Sequence, residues 1–266
     1  MTRRVGRRAD YPRALLGAWT VLVLLFLYLP IALVVAYSFN RSSLNILWEG
    51  FTLKWYAQVW RDGPLMQALG NSLKIAAAAT VMSTLLGTIA GWLLHRYRFP
   101  AARFMSALIF FPMIVPEIIM GVSLMLLFGL LRVELGFTTV IIAHVTFCFP
   151  FVMIAIGARL QRLDPSLEEA AMDLGATPVQ AFVRVIVPYL LPAIVAGALM
   201  AFTLSIDEFV VTYFTYDAAS ITLPVKIYGM IKPGLDPSVN ALSTLLIVAT
   251  FVLVVAAEMV RRLASR

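Results

Sequence analysis

Six apolar runs, each long enough to cross a membrane as a helix, constrain this chain more than any other feature. They cover residues 14–39, 71–94, 104–131, 137–158, 186–214 and 241–257. A hydrocarbon core of ~30 Å takes about 17 to 25 helical residues. Inside lipid every backbone amide must be bonded within the protein, which leaves only helices or a closed barrel. The runs are continuous and lack the alternation of a barrel strand, so they select helices. With 61% hydrophobic and 13% charged residues, against about 25% charged in ordinary soluble domains, the chain has too little polar surface for water on all sides. The expected fold is an all-α polytopic membrane protein with six transmembrane helices. No repeat, low-complexity tract or linker interrupts it, so one transmembrane domain is expected over 1–266.

The distribution of charge orients the spans. Arg3, Arg4, Arg7, Arg8 and Arg13 precede the first; Arg96, Arg98 and Arg103 lie between the second and third; Arg159, Arg162 and Arg184 lie between the fourth and fifth; Arg261, Arg262 and Arg266 follow the sixth. That puts 14 basic residues on one side and six on the other. Basic loops stay on the cytoplasmic side, so both termini are expected there. The net charge of +7 is then a property of the inner loops and implies no nucleic-acid partner. The first apolar run, 26 residues from Ala14 to Phe39, exceeds the roughly 7 to 15 of a signal peptide and is read as a retained helix. Trp48, Trp55, Tyr56 and Trp60 fall in an outer loop, where amphipathic rings suit the membrane interface.

Several chemistries lack their parts. There is no Gly-Lys dipeptide, hence no phosphate-binding loop of the form GxxxxGK[ST]. There is no HExxH pair and no GxSxG turn, and the chain has two histidines and one cysteine. No catalytic residue and no metal site is assigned. His144 and Cys148, four apart on span four, read as packing.

The longest inner loop, 159–185, has local order of its own. Asp164 can cap a helix with Pro165 at its first position, and Glu168 and Glu169 suit the positive end of its dipole. Gly175 can end that helix in the left-handed conformation. Thr177, Pro178 and Gln180 then begin another as a capping box. Two short helices meeting at a sharp angle are expected, with small Ala170 and Ala171 exposed. Such a knob fits a groove on another protein, or is an amphipathic hairpin without a partner.

The residues of this loop resemble a known family. Glu169-Ala170-Ala171, three residues, Gly175, nine residues and then Val185-Ile186-Val187-Pro188 is similar to the EAA motif of ABC importer permeases, with two conservative apolar changes. The resemblance implies the type I ABC importer permease fold and a coupling role for Glu169, Ala170, Ala171, Gly175 and Pro188, which would dock on an ATPase. It also implies the partners: two ATP-binding cassette subunits holding ATP and Mg, a second homologous permease, and a periplasmic substrate-binding protein. This chain itself is expected to bind no cofactor and to be no enzyme.

Three acids fall within the spans, Glu117 in the third and Asp207 and Glu208 in the fifth. Ionisable groups in a membrane are costly and mark pathways. Glu117 lies near the middle of its span beside Pro116 and close to Pro112, which should break the helix. Glu208 shares a helical stripe with Ser205, Thr212 and Thr215, with Asp207 beside it. Together these residues form an expected path that favours a cation. Alternatively, the acids pair with Lys74, cap a broken helix or bond to the companion subunit.

The run Phe202-Thr203-Leu204-Ser205-Ile206-Asp207-Glu208-Phe209-Val210-Val211, with Leu223-Pro224, Asn240-Ala241-Leu242, Pro116-Glu117 and His144-Val145-Thr146-Phe147-Cys148, resembles the spermidine/putrescine branch. That implies polyamine import across the bacterial inner membrane. Other permeases with similar segments carry 4-aminobutyrate or other small amines and amino acids. A rival of another class is a stand-alone secondary transporter driven by protons through the three acids.

Overall fold

The computed structural model describes residues 13–43, 47–97, 100–164, 166–232 and 236–264, with side chains from 15 to 252. Pro165 and the arginines 3, 4, 7, 8, 98 and 266 lie outside the described residues. The elements are α1 (Arg13–Tyr37), α2 (Lys54–Arg61), α3 (Gly63–Arg96), α4 (Ala102–Ile114), α5 (Glu117–Leu130), α6 (Phe137–Leu160) and α7 (Ser166–Asp173). After them come α8 (Pro178–Ala181), a π-helical turn (Phe182–Ile186), α9 (Val187–Ile206), α10 (Val210–Thr215), α11 (Leu223–Ile231) and α12 (Pro237–Ala264). Helices at Leu15–Tyr37, Gly63–Arg96, Phe137–Leu160 and Pro178–Ile206 are each long and apolar enough to span. The pair α4 and α5 is long and apolar enough only together, as a broken span or a re-entrant loop, and α12 contributes a shorter apolar helix from Pro237 to Val252, so the described residues give four or five candidate spans where six are expected.

Chain packing divides into two compact units, one of α1, α2 and α12 and the other of Gly63–Gly229. In the first, α1 buries none of its apolar length within the chain, so Leu25, Phe26 and Leu29 stand exposed. A helix that is apolar all round needs lipid or another protein about it. The segment after α1 closes on itself through an antiparallel bridge between Asn40 and Phe51. The Asn40 amide donates to Leu47 O at 2.7 Å and its Oδ1 accepts from Glu49 N at 2.9 Å. Trp55 is buried, with Nε1 donating to Asn40 O at 2.7 Å. The aromatic helix α2 therefore contributes Trp55 to the packing of this unit, leaving Trp60 exposed as the interfacial ring.

In the second unit, α3, α6 and α9 pack against one another around Phe147, Val152, Ile156, Leu160, Ile186 and Leu190. Glycine sets their approach. A Cβ on Gly87 of α3 would lie 2.8 Å from Val152 Cβ and 3.1 Å from Met153 N, and one on Gly197 of α9 would lie 3.1 Å from Val152 Cγ1. Both helices thus close on the same turn of α6. Overpacking of this kind costs about 1–3 kcal/mol. Gly87→Leu is therefore predicted to lower the yield and melting temperature of the detergent-purified protein, whereas Gly17→Leu, with open space around it, should not. Equal melting temperatures for the two variants would contradict this packing.

Two expected spans differ from single straight helices. The third, 104–131, is two helices bent by 110°. Val115 precedes a proline and takes the extended conformation, ψ 132°, and Pro116 follows with ψ 134°, since the proline ring disfavours helix before it. Glu117 is consequently the first residue of α5 and not the midpoint of a straight helix. The fifth, 186–214, stops at Ile206 and resumes at Val210. The break falls on Asp207, Glu208 and Phe209, where the Glu208 carboxylate accepts from Val211 N and the Glu208 carbonyl accepts from Thr212 Oγ1.

Candidate functional site

The loop after α6 has the local chemistry its residues require. Asp164 Oδ1 accepts from Ser166 N at 3.0 Å, and these Ser166 hydrogen bonds hold its carboxyl below the usual aspartate range. Helix α7 ends at Gly175, whose φ is +89°, a conformation that side chains with a Cβ resist. Gly175 N and Ala176 N donate to Met172 O at 2.9 Å and Ala171 O at 3.1 Å, closing the last turn. Thr177 and Gln180 form the reciprocal capping box, at 2.9 Å and 3.3 Å. The second helix, however, is not a separate short one. It runs without interruption from Pro178 through the π-helical turn into α9 as far as Ile206. Pro188 explains the wider turn: it lacks an N–H, and Val187 N reaches back five residues to Phe182 O.

Side-chain contacts fasten this loop to the bundle. Arg96, at the end of α3, makes a 3.0 Å ion pair with Glu168 of α7, which is 6% exposed. The Trp92 and Phe182 rings lie 4.3 Å apart, and the Arg159 guanidinium sits 4.4 Å over the Tyr189 ring. A cleft of about 360 Å³ opens here, lined by Trp92, Arg96, Leu163, Glu168 and Glu169 among others. Glu169 and Ala170 face outward while Ala171 is half-buried. Leu174 is 90% exposed beside them, and Val179 is exposed as well. The loop thus presents a rigidly mounted knob with an apolar tip.

The second candidate region is the pair of broken helices. Helix α10 packs against α5, and a Cβ on Gly121 would come within 2.7 Å of Phe214 Cδ2. The breaks that precede α5 and α10 are thereby brought to one region, with Glu117 at the start of α5 and Asp207 and Glu208 just before α10. The three acids differ in setting. Glu117 and Asp207 are exposed, whereas Glu208 is 6% exposed and its Oε1 accepts from Val211 N at 2.8 Å. Glu208 therefore caps α10, one of the structural alternatives open from the sequence. Lys74 is exposed and pairs with none of them; the ion pair found among the described residues is Arg96–Glu168.

Ser205 and Thr212 are buried and turned to a different partner. His144 Nδ1 lies 2.6 Å from Ser205 Oγ, and Nε2 lies 2.7 Å from Thr212 Oγ1. Thr212 Oγ1 also donates to Glu208 O at 2.9 Å. They support the break rather than offering free hydroxyls. Thr215 is buried too, and its carbonyl accepts from Thr139 Oγ1 at 2.8 Å. Cys148, one turn from His144, directs its thiol at Ala201 O, 3.6 Å away. Residue spacing within one helix gave no sign that His144 bridges two others.

Sequence reasoning also missed an aromatic cluster at the break. Tyr213 lies 5.6 Å from Phe209, 6.0 Å from Tyr216 and 5.7 Å from Tyr228, and Phe209 lies 5.0 Å from Tyr228. Tyr213 and Tyr228 remain 40% and 43% exposed. Its sign in the sequence is the density of rings in Phe209–Tyr216, where Phe209, Tyr213, Phe214 and Tyr216 fall within eight residues.

Comparison with known proteins gives these regions a context. Residues 83–266 match the family described as binding-protein-dependent transport system inner membrane component. The chain is 40% identical over 250 residues to the spermidine/putrescine transport system permease protein PotC of Escherichia coli (strain K12), covering 94% of this chain and 95% of that one. It is 42% identical over 240 residues to the putrescine transport system permease protein PotI of the same strain, covering 86% and 85%. A crystal structure of a bacterial ABC transporter involved in the import of the acidic polysaccharide alginate shares the fold, with a TM-score of 0.71 at 16% identity over 98% of this chain and 99% of that one. The EAA loop, the helical architecture and the extent of these matches agree, and the chain belongs to the binding-protein-dependent transport system inner membrane component family, the permeases of ABC importers.

Proposed function

We propose that this chain is a permease subunit of an ABC importer that carries polyamines, spermidine or putrescine, across the bacterial inner membrane. The observation that carries the reading is the meeting of two helix breaks with Glu117, Asp207 and Glu208 beside exposed tyrosines. A carboxylate in hydrocarbon costs at least about 2.5 kcal/mol on the mildest scales, so such acids need water or a cation. An alkyl polyamine supplies ammonium groups for the carboxylates and methylene segments for the rings, and an ammonium over a ring gains about 0.5–2 kcal/mol. The 40% identity to a spermidine/putrescine permease supports the same substrate class.

ATP and Mg act on separate subunits in this reading. Two ATP-binding cassette subunits dock on the knob formed by Glu169, Ala170, Ala171 and Gly175, with Pro188 at the root of the following helix. Exposed Leu174 supplies apolar contact area there. A second, homologous permease encloses the other half of the path, and the unaccompanied apolar surface of α1 suits such a partner or lipid. A periplasmic binding protein delivers substrate. Closure of the ATPases draws the knobs together and opens the path outward.

Both termini and the 159–185 loop are cytoplasmic in this arrangement. In a Cys148→Ala background, cysteines at Ser43 and Ala218, both exposed, should react with an impermeant thiol reagent added to cells with a permeabilised outer membrane. A cysteine at Thr177 should not. Labelling at Thr177 without labelling at Ser43 would invert the topology. The functional reading is tested by reconstitution: the full complex should import labelled spermidine only when ATP is present.

A further inference from the structure

The structure assigns His144 a role in transport: it is a positioning residue that clasps the two ends of the Asp207–Phe209 break and fixes where the acids sit. The inference rests on the acidic path proposed above. It starts from proton counting. Thr212 has one hydroxyl proton, and Oγ1 donates it to Glu208 O at 2.9 Å. Toward His144 that oxygen can then only accept, so the ring carries its proton on Nε2, 2.7 Å away. With Nε2 protonated, a neutral ring leaves Nδ1 bare. Nδ1 accepts the Ser205 hydroxyl proton across 2.6 Å.

The result is a one-way relay from Ser205 to His144 to Thr212 to the Glu208 carbonyl, with each proton used once. It joins the last turn of α9 to the first turn of α10 through a side chain of α6. The ring is 1% exposed, Ser205 3% and Thr212 0%, so these links are made within the protein and away from solvent. Packing alone gives no reason for a histidine. Two ring nitrogens buried without partners would be costly, and an aromatic hydrocarbon would fill the volume without that cost. The imidazole spans from Ser205 to Thr212 because its two nitrogens point apart and serve opposite roles, one donor and one acceptor. Glu208 is tied to the clasp through its carbonyl, which ends the relay, while its carboxylate caps Val211 N beside Thr212. Asp207 precedes it in the same break.

The test uses the whole complex, this chain with its partner permease and ATPases, in a Cys148→Ala background. A cysteine at Val210, half-buried at the start of α10, reports opening of the break through its labelling rate with a small thiol reagent. His144→Phe should raise that rate about tenfold, the size expected from losing one or two buried hydrogen bonds. Adding Thr212→Val should raise it little further, because groups that act as a unit are not additive. Uptake normalised to assembled complex should show a raised KM for spermidine with a smaller change in maximal rate. Ser205→Ala, which deletes one oxygen, carries the same test if His144→Phe does not assemble.

An unchanged labelling rate, fully additive effects of His144→Phe and Thr212→Val, or a raised rate with an unchanged KM overturns the assignment. Asp207→Asn in the parent chain tests the acidic path separately. If that variant transports normally while His144→Phe still raises both labelling and KM, the path fails and the clasp stands.

Discussion

Gly175→Val is expected to leave a complex that assembles in the membrane yet loses most of its ATP-driven uptake. At φ +89°, a residue with a Cβ pays about 1–2 kcal/mol, and a β-branched one is a genuine outlier. The turn would relax toward negative φ, and a shift of that size changes a two-state balance by roughly 5- to 30-fold. The Gly175 and Ala176 N–H bonds to Met172 and Ala171 would be lost with it, so α7 would leave its fixed angle to Pro178. Nothing in the apolar core would be touched, because Gly175 has open space around it. Uptake should therefore fall about tenfold while co-purification with the second permease is kept, and ATP hydrolysis should no longer respond to the loaded binding protein. Gly175→Asn, which tolerates positive φ better, should recover part of the uptake. Full uptake in the valine variant would show that coupling does not depend on this turn.

Asp207→Asn and Glu208→Gln are expected to lower spermidine uptake by about tenfold each, equivalent to 1.4 kcal/mol, with less effect on a zwitterionic amine. The two positions separate charge from structure in different ways. Asp207 is exposed, so its amide removes charge at little structural cost. Glu208 is buried and caps Val211 N, but a glutamine oxygen can still accept that bond. If the Glu208 variant keeps the melting temperature of the parent and loses spermidine uptake, the carboxylate acts through its charge. If both variants lose stability and uptake of all amines alike, the acids are structural.

Much of the fold was legible because membrane insertion writes itself into long apolar runs. Span four, 137–158, falls almost on α6, and the capping residues Thr177 and Gln180 lie where local hydrogen bonding alone puts them. The breaks were harder. Pro116 marks the first, since a restricted preceding residue is a local property, whereas Pro112 is accommodated inside α4 and breaks nothing. The second has no proline or glycine. Ser205 and Thr212 flank it and bond to His144, which lies 61 and 68 residues away in sequence, so a helical stripe drawn across Asp207 does not describe the chain there. The polar stripe Ser205, Glu208, Thr212 and Thr215 does not line an open path, because these side chains are buried and bonded to His144 or to backbone groups. Of the three acids in the spans, Asp207 and Glu117 present exposed carboxylates, and the rings of Tyr213 and Tyr228 add a surface that composition alone does not place.

The most direct test of the account is transport by the purified complex in proteoliposomes, with this permease, its partner, the ATPases and the binding protein present. The measurement compares uptake of labelled spermidine, putrescine and 4-aminobutyrate, with ATP or with an imposed proton gradient, and repeats each for this chain alone. The account predicts ATP-dependent uptake of spermidine or putrescine by the full complex, little 4-aminobutyrate uptake and none by the chain alone under either condition. Proton-driven uptake by the isolated chain, or ATP-driven uptake that prefers the zwitterion, would contradict it.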